Sequence, residues 1–310
     1  MGAKPEIVVA RTAGFCSGVH RAITTVRKLL GQGSPIYCLG DIIHNRRVVD
    51  RLKESGMKVV ESLAQIPPAP VCGSCSLLIR THGLPLPVIR QAEDRGLDLV
   101  DLTCPKVKKI HRLVGELSAQ GYYLYIVGDA RHPEVQAITS LAGRSYQVLE
   151  HPSQVEAGPD DGPETGRDGS GDTARDGSRD VERERPCAVV VQTTFNPGLF
   201  YDVVRSVVAL NKRTLVCNTL CEETIRRQRE AARLAGEVDL MLVVGGRNSS
   251  NTKTLYTLVR ERVRAAHIEG AHELHADLVR GAGRIGIISG ASTPREEVNL
   301  VQRAIEELSG

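Results

Sequence analysis

Short runs of apolar, mostly β-branched residues alternate along the chain with longer amphipathic stretches that have a helical period. This alternation is typical of an α/β protein with parallel strands. It predicts nine strands, each followed by a polar or glycine-containing loop: Glu6–Ala10, Ile36–Leu39, Leu77–Arg80, Leu99–Leu102, Tyr123–Val127, Ala188–Val191, Thr214–Val216, Leu240–Val244 and Arg284–Ile288. Because parallel α/β sheets bind ligands at the carboxyl ends of their strands, we expect function in these loops.

The loops recur as a threefold repeat. Three strands lead into a cysteine followed at once by a basic helical stretch, in GFCSGVHRAI, LTCPKVKKIH and TLCEETIRRQ, which contain Cys16, Cys104 and Cys221. A second polar loop begins 28 residues after each cysteine (44 − 16, 132 − 104 and 249 − 221), at His44, His132 and Ser249. A third follows as THG, QTT and GAST. Three such units around an axis would aim all nine loops at one central point.

The repeat divides the chain into three predicted α/β domains. These are residues 1–102, 103–217 and 218–310, and a C-terminal tail, 291–310, is expected to pack back on the repeats. Residues 158–185 interrupt the second domain with Gly, Asp, Arg, Glu, Ser and Thr. Such a composition buries too little apolar surface to offset its ordering entropy, so we predict a disordered surface insertion there.

The composition and net charge disfavour nucleic acids and membranes as binding partners. The net charge of +3 is too small to indicate DNA or a membrane surface, and the 3% aromatic content with no Trp disfavours a stacking platform for nucleic acid. No apolar run approaches the roughly 20 residues that span a bilayer. Without a secretory signal, the chain is expected to be cytoplasmic, with no nucleic-acid or membrane partner.

Eight cysteines in a reducing compartment do not indicate a disulfide framework. Cys16, Cys104 and Cys221 stand at strand-to-helix junctions, where the helix dipole favours a thiolate. Three thiolates leave one position of a cubane iron–sulfur cluster without a protein ligand, but they also suit zinc, so the metal stays open at this point. The other five cysteines do not share this position, and Cys38 is interpreted as core filler. Cys72 and Cys75 form CGSC, which could mean a redox dithiol or half a zinc site, but nothing nearby completes a zinc set and a structural or incidental role is favoured. Cys187 and Cys217 stand at the ends of strands.

The polar loops offer imidazoles, hydroxyls and an amide that suit phosphate oxygens. The candidates are His44, His82, His132, Glu134, Thr193, Ser249, Asn251 and Ser292. No P-loop or GxGxxG motif is present, which disfavours the common nucleotide-binding folds. Glu134 has two interpretations: a carboxyl that delivers protons to a substrate, or a charge that complements a helix dipole.

Nine motifs together resemble the 4-hydroxy-3-methylbut-2-enyl diphosphate reductase (LytB) family over residues 7 to 300. They are GFCSGVHRAI, DIIHN, THG, LTCPKVKKIH, HPEV, QTT, TLC…RRQ, GGRNSSNT and GASTP. The resemblance implies a trefoil of three pseudo-equivalent α/β domains around a central iron–sulfur cluster. It also implies reductive dehydroxylation of the diphosphate to isopentenyl and dimethylallyl diphosphate, the last step of the methylerythritol phosphate route to isoprenoids.

The resemblance also assigns roles to residues. Cys16, Cys104 and Cys221 would hold one [4Fe–4S] cluster, Thr193 would position the substrate hydroxyl or relay a proton, and Glu134 would be the proton source. The diphosphate would bind His44, His82, His132, Ser249, Ser250, Asn251 and Ser292. The sequence itself does not identify the electron donor. A positive surface at Lys106, Lys108, Lys109, Arg226 and Arg227 could dock an acidic ferredoxin or flavodoxin, although solvated helix faces have the same charge pattern.

The sequence departs from the family pattern beside these residues rather than at them. The departures are Pro85, Arg131, Glu222 and Glu223. They leave two alternatives to the reductase: a divergent paralogue acting on a related allylic diphosphate, and a cluster-based redox sensor without turnover.

Overall fold

The computed structural model describes residues 4–33, 35–67, 75–156 and 185–309. Within them the strands are β1 Glu6–Val9, β2 Ile36–Leu39, β3 Met57–Val60, β4 Ser76–Ile79, β5 Asp98–Asp101, β6 Tyr123–Val127, β7 Tyr146–Leu149, β8 Cys187–Val191, β9 Thr214–Val216, β10 Leu240–Val244, β11 Arg264–Ile268 and β12 Arg284–Ser289. The helices are α1 Ser17–Leu30, α2 Arg46–Glu54, α3 Leu86–Asp94, α4 Pro105–Ala119, α5 Pro133–Thr139, α6 Pro197–Leu210, α7 Glu222–Ala235, α8 Ser250–Arg260, α9 Ala276–Val279 and α10 Arg295–Leu308. Cys72 and nearly all of the predicted insertion at 158–185 lie outside the described residues.

The strands form three sheets of four parallel strands each. Their orders are β3-β2-β4-β5, β7-β6-β8-β9 and β11-β10-β12-β1. The same order therefore occurs three times, with the strands of each sheet in equivalent places. This confirms the predicted α/β class and is consistent with the trefoil of three similar units.

The N-terminal strand closes the third sheet rather than the first. Ile7 pairs in parallel register with Ile285 of β12, although the predicted boundaries placed residues 1–102 together. In the C-terminal tail, Val298, Val301 and Ile305 of α10 pack into the core of this same sheet. Both ends of the chain thus complete the third unit, and the division into three domains otherwise stays a prediction.

All nine predicted strands are present, with ends shifted by at most one residue. The sequence pattern missed one strand in each sheet, and always the equivalent one: β3, β7 and β11. Each of these is an outer strand that pairs on one side only and carries exposed positions among its four or five residues. A short, partly exposed strand lacks the continuous apolar run by which the inner strands were recognised.

The helix that follows each cysteine packs its apolar face on the adjacent sheet. In α1, Ala22, Ile23 and Val26 are spaced for one helix face and contact the core that contains Ile36 and Cys38 of β2. The helices α4 and α7 pack in the same way in the other two cores. Burial of these side chains contributes about 1.5–3 kcal/mol for each large aliphatic residue, and it fixes the three helix N-termini that carry the cysteines.

Candidate functional site

Cys16, Cys104 and Cys221 are the N-cap residues of α1, α4 and α7. The main-chain N–H of each cysteine donates a hydrogen bond to a carbonyl of the loop that follows the adjacent strand of the same sheet. The acceptors are Ala291 at 3.0 Å, Thr81 at 3.0 Å and Thr193 at 2.9 Å, respectively. One hydrogen bond recurring in three sheets shows that the cysteines occupy equivalent places in the fold.

The sulfurs of the three cysteines line a single cavity. A Cβ atom added to Gly18 would lie 2.8 Å from the Sγ of Cys104 and 4.0 Å from the Sγ of Cys16, so these two sulfurs face the same small space. Cys104 also interacts electrostatically with Cys221. The main-chain N–H of Val19 points at the Cys16 Sγ, 3.5 Å away, as expected for a helix N-terminus that stabilises a thiolate.

This donor set fits a thiolate-bound metal centre. Burial raises the pKa of the Cys16 and Cys104 thiols, and metal binding would shift both to the thiolate. Gly18 leaves free the space next to the sulfurs that any side chain would fill. The other described cysteines lie elsewhere: Cys38, Cys75 and Cys187 are buried in sheet cores, Cys217 is partly buried, and none of them lines this cavity. Cys75 is disulfide-bonded, so the expectation that the cysteines stay reduced is wrong at this position.

Three histidines form a triangle in the same cavity. The ring centroids of His44 and His82 are 4.5 Å apart, and His132 lies 5.1 Å from His44 and 5.2 Å from His82. Burial lowers the pKa of His44 and His132 to about 4, and that of His82 well below its usual range. The rings are therefore neutral at pH 7. The Nδ1 of His132 accepts the N–H of Glu134 at 3.1 Å, which places the proton of its neutral ring on Nε2.

Several polar atoms around the triangle have no hydrogen-bond partner among the described residues. They are the Nε2 of His44, the Nδ1 of His82 and both amide atoms of Asn251, whose side chain is 4% exposed. Buried polar groups in native proteins are nearly always paired, so these atoms need a partner that the protein itself does not supply, such as a water or a bound ligand. Asn251 lies in the first turn of α8, where main-chain N–H groups favour an anion.

Glu134 and Thr193 form a fully buried pair beside the triangle. The main-chain N–H of Thr193 donates to Glu134 Oε1 at 2.7 Å, and its hydroxyl donates to Oε2 at 2.8 Å. Burial raises the pKa of Glu134, and these two hydrogen bonds offset part of the rise. Glu134 lines the cavity and is 1% exposed, so its carboxyl is placed to hold and release a proton there.

All twelve candidate residues from the sequence line this one cavity, whose volume is about 790 Å³ including its mouth. Ser292 closes one wall, since its hydroxyl donates to the carbonyl of His44 at 3.0 Å. The sequence reasoning missed Gly18 and Glu223 as cavity residues. Both stand two positions after a repeat cysteine, which is the signal that identifies them.

The sequence prediction was wrong for Arg227, which does not belong to the positive surface. Its side chain is 3% exposed and lines the cavity, because it lies on the inner face of α7. Lys109 and Arg226 are exposed as predicted, and Lys108 is partly exposed and pairs with Asp101.

The four residues that depart from the family pattern lie in different environments. Glu223 accepts the main-chain N–H of Ser17 at 3.1 Å and so joins the N-termini of α7 and α1. Pro85 caps α3, and Glu222 is exposed. The side chain of Arg131 is 91% exposed beside Asp129. Only Glu223 among the four lines the cavity.

None of the helices in the described part of the chain is both long and apolar enough to cross a membrane.

The chain was compared with known families and proteins. A family model described as LytB protein matches residues 7–306. The 4-hydroxy-3-methylbut-2-enyl diphosphate reductase of Geobacter sp. (strain M21) is 37% identical over 98% of this chain and 97% of its own length. The enzyme of the same name from Geobacter sulfurreducens is 39% identical over 97% of both chains.

Two solved structures are similar. One is (E)-4-hydroxy-3-methyl-but-2-enyl diphosphate reductase, described as the terminal enzyme of the non-mevalonate pathway. It has a TM-score of 0.66 and 32% identity over 98% of this chain and 99% of its own. The other is described as the E-1-hydroxy-2-methyl-but-2-enyl-4-diphosphate reductase from Plasmodium falciparum, with a TM-score of 0.84 over 99% of this chain and 89% of its own. Its 24% identity supports the fold alone.

Proposed function

The chain belongs to the LytB family, and we propose that it reduces 4-hydroxy-3-methylbut-2-enyl diphosphate to isopentenyl and dimethylallyl diphosphate. This is the last step of the methylerythritol phosphate route. The observation that carries the proposal is the meeting of three helix-capping cysteines, three histidines and Glu134 in one cavity. A related allylic diphosphate is the second candidate substrate, favoured by the additional carboxylate that Glu223 brings to the cavity wall.

LytB proteins are iron–sulfur reductases, and we assign the cluster of this chain to Cys16, Cys104 and Cys221 as one [4Fe–4S] group. Three protein thiolates leave one iron without a side-chain ligand. When bound, the cluster would supply electrons and a Lewis-acidic iron to the substrate. The protein's part is to hold the three sulfurs, because each cysteine is fixed by a helix N-terminus and by its main-chain hydrogen bond.

The diphosphate would form hydrogen bonds with the polar groups of the cavity that lack a partner within the protein. His44, His82 and Asn251 present unpaired polar atoms, and Ser250 adds a hydroxyl at the N-terminus of α8. Ser249, Ser292 and His132 complete this set. A bound diphosphate favours protonation of the imidazoles, since a nearby anion opposes the effect of burial on their pKa. Binding would therefore turn neutral donors into charge-assisted ones.

Glu134 would supply protons to the reaction, which consumes two electrons and two protons and releases water. Its raised pKa keeps a fraction of the carboxyl protonated closer to neutral pH. The Thr193 hydroxyl bonds Oε2 directly and lies in the same cavity, so it can orient the substrate hydroxyl or relay the proton. Since both groups are buried, bulk water does not compete for this proton.

The electron donor is proposed to be an acidic ferredoxin or flavodoxin. Lys106, Lys109 and Arg226 lie in the first two turns of α4 and α7, next to two of the cluster cysteines. Positive charge there would attract an acidic partner, most strongly at low ionic strength, where screening is weakest. A cytoplasmic location belongs to the same proposal.

The test is turnover of the diphosphate by anaerobically purified protein with a chemical reductant, followed by mass spectrometry of the products. Wild type should form both products, and Glu134→Gln should lose about 10²–10⁴-fold in rate while retaining its cluster absorbance. Glu116→Gln, which removes an exposed carboxylate on α4, is the control and should keep full activity. Wild type with a full cluster and no products would point to a redox sensor or to a different allylic substrate.

A further inference from the structure

Arg227 is a buried cation behind the cysteine loops. It lies on α7, six residues after Cys221, and its side chain is 3% exposed. Its Nη1 donates to the carbonyl of Ser289 at 2.9 Å, and its Nη2 donates to the carbonyl of Gly14 at 3.1 Å. Its Nε is buried and has no partner among the described residues. The guanidinium thus ties the end of β12 to the loop that presents Cys16.

These two hydrogen bonds do not neutralise its charge. Carbonyl oxygens satisfy N–H groups, but a buried cation is costly unless an anion also lies close to it. Within the described residues, no carboxylate is close enough to Arg227 to form a salt bridge. The group that interacts with it most strongly is Cys16, followed by Glu223, and Arg227 and Cys16 line the same cavity wall.

We infer that Arg227 is the counter-charge of the cluster on Cys16, Cys104 and Cys221, and that it sets the reduction potential of that cluster. The inference rests on the cluster assignment in the proposed function. One-electron reduction adds a negative charge to the cluster and its thiolates. A fixed cation beside them stabilises the reduced form more than the oxidised form, so it raises the potential. Arg227 acts through the thiolates and is therefore a positioning residue.

The geometry also explains why the residue is an arginine. The planar fork reaches two carbonyls on separate loops while the charge stays near the sulfurs. Lysine would keep the charge and lose the fork, and glutamine would lose the charge and keep part of the hydrogen bonding. This difference separates an electrostatic role from a merely structural one.

The experiment is a dithionite titration of the anaerobic, cluster-loaded protein, followed by electron paramagnetic resonance, on four chains. They are wild type, Arg227→Gln, Arg227→Lys and Arg226→Gln. We expect the potential to fall in Arg227→Gln, with a smaller fraction of cluster reduced at the same applied potential, and to stay near wild type in Arg227→Lys. Arg226→Gln removes an exposed charge from the next position on the same helix, and we expect the wild-type potential for it.

Two results would overturn the inference. One is an unchanged potential in Arg227→Gln that still holds its cluster. The other is an equal shift in Arg227→Lys and Arg227→Gln, which would assign the effect to the lost hydrogen bonds. If Arg227→Gln does not fold, the lysine variant alone decides, because a shifted potential in a charge-conserving variant contradicts the inference. Iron and sulfide content of wild type is measured first: wild type without a cluster would overturn the proposed function as well, whereas a loaded wild type confines any failure to Arg227.

Discussion

The three histidines illustrate how burial sets the chemistry of single residues. The ring centroids of His44, His82 and His132 lie within 5.2 Å of one another. Burial lowers the pKa of His44 and His132 to about 4. An exposed imidazole would be half-protonated near pH 6.5, so the cavity holds these rings in a neutral state. The neutral form avoids mutual repulsion among the rings and leaves N–H groups available for an anion.

The lowered pKa values predict how stability depends on pH. The unfolded chain takes up these protons near pH 6.5, whereas the folded chain resists them until about pH 4. Stability conferred by the neutral rings is therefore present above pH 6.5 and is lost as the pH falls toward 4, by at most about 1.4 kcal/mol per pH unit for each histidine.

Thermal unfolding between pH 7 and pH 4 measures this effect. As the pH falls from 7 to 4, the melting temperature of wild type should decrease more steeply than that of the double variant His44→Gln, His132→Asn. His20→Gln, which changes an exposed histidine, should keep the wild-type slope. Parallel slopes for wild type and the double variant would show that these rings are not the groups that titrate.

Residues at repeated positions could be predicted from the sequence, and residues defined by packing could not. Cys16, Cys104 and Cys221 were identified because their spacing to the next loop recurs three times. Arg227 was placed on a surface, because a basic residue on a helix is usually exposed and the sequence does not show which face of α7 turns inward. Gly18 has no side chain whose chemistry could have identified it in the sequence. It fits beside the sulfurs because it has no side chain.

At the scale of elements, the inner strands were predictable and one outer strand per sheet was not. β2, β6 and β10 are apolar runs that are buried almost throughout. β3 and β11 carry exposed residues, and their pairing with the inner strands is what makes them strands. A strand that is buried on both faces can be recognised from its continuous apolar sequence. A strand that exists because it pairs with a strand distant in sequence cannot be recognised in this way.

The N-terminus of α1 yields a prediction about helix geometry. Because a Cβ atom at Gly18 would lie 2.8 Å from the Cys104 Sγ, alanine at this position must displace the sulfur. Gly18→Ala should therefore lower the iron content of the purified protein. Gly115→Ala is the matched control, since Gly115 is also in a helix and, apart from its chain neighbours and the adjacent helix backbone, no described atom lies within 4 Å of its added Cβ.

The control variant should retain the wild-type iron content and gain up to about 1 kcal/mol of stability from helix propensity. Iron analysis and thermal unfolding of both variants provide the comparison. Full iron occupancy in Gly18→Ala would mean that the sulfurs do not need this space.

At the scale of the whole molecule, the first and third units are joined by contacts outside the cavity. Arg47 of α2 pairs with Glu297 of α10 through Nη1 and Oε1 at 2.5 Å. The carboxylate of Glu297 is buried, with 4% of its side chain exposed, whereas Arg47 is 43% exposed. β1 adds a second link, because the chain runs from the third sheet into α1 of the first unit. These links hold Cys16 between the two units.

The Arg47 pair can be tested against its neighbour in sequence. Arg47→Gln should lower stability by about 1–3 kcal/mol, because Glu297 then stays buried without its partner. Arg46→Gln should change it by less than about 0.5 kcal/mol, since the Arg46 side chain is 86% exposed. Thermal unfolding of the two variants provides the comparison, and equal melting temperatures would show that the pair does not stabilise the junction.

The central claim is that three equivalent cysteines hold one iron–sulfur cluster, and iron with acid-labile sulfide per chain measures it most directly. The comparison uses anaerobically purified wild type, Cys16→Ser, Cys104→Ser, Cys221→Ser and Cys217→Ser. Cys217 is a free cysteine four residues before Cys221 and outside the cavity. We predict about four irons and four sulfides per chain in wild type and in Cys217→Ser, and loss of both in the other three. A cluster that survives replacement of any one of Cys16, Cys104 and Cys221, or that is lost in Cys217→Ser, would contradict the assignment.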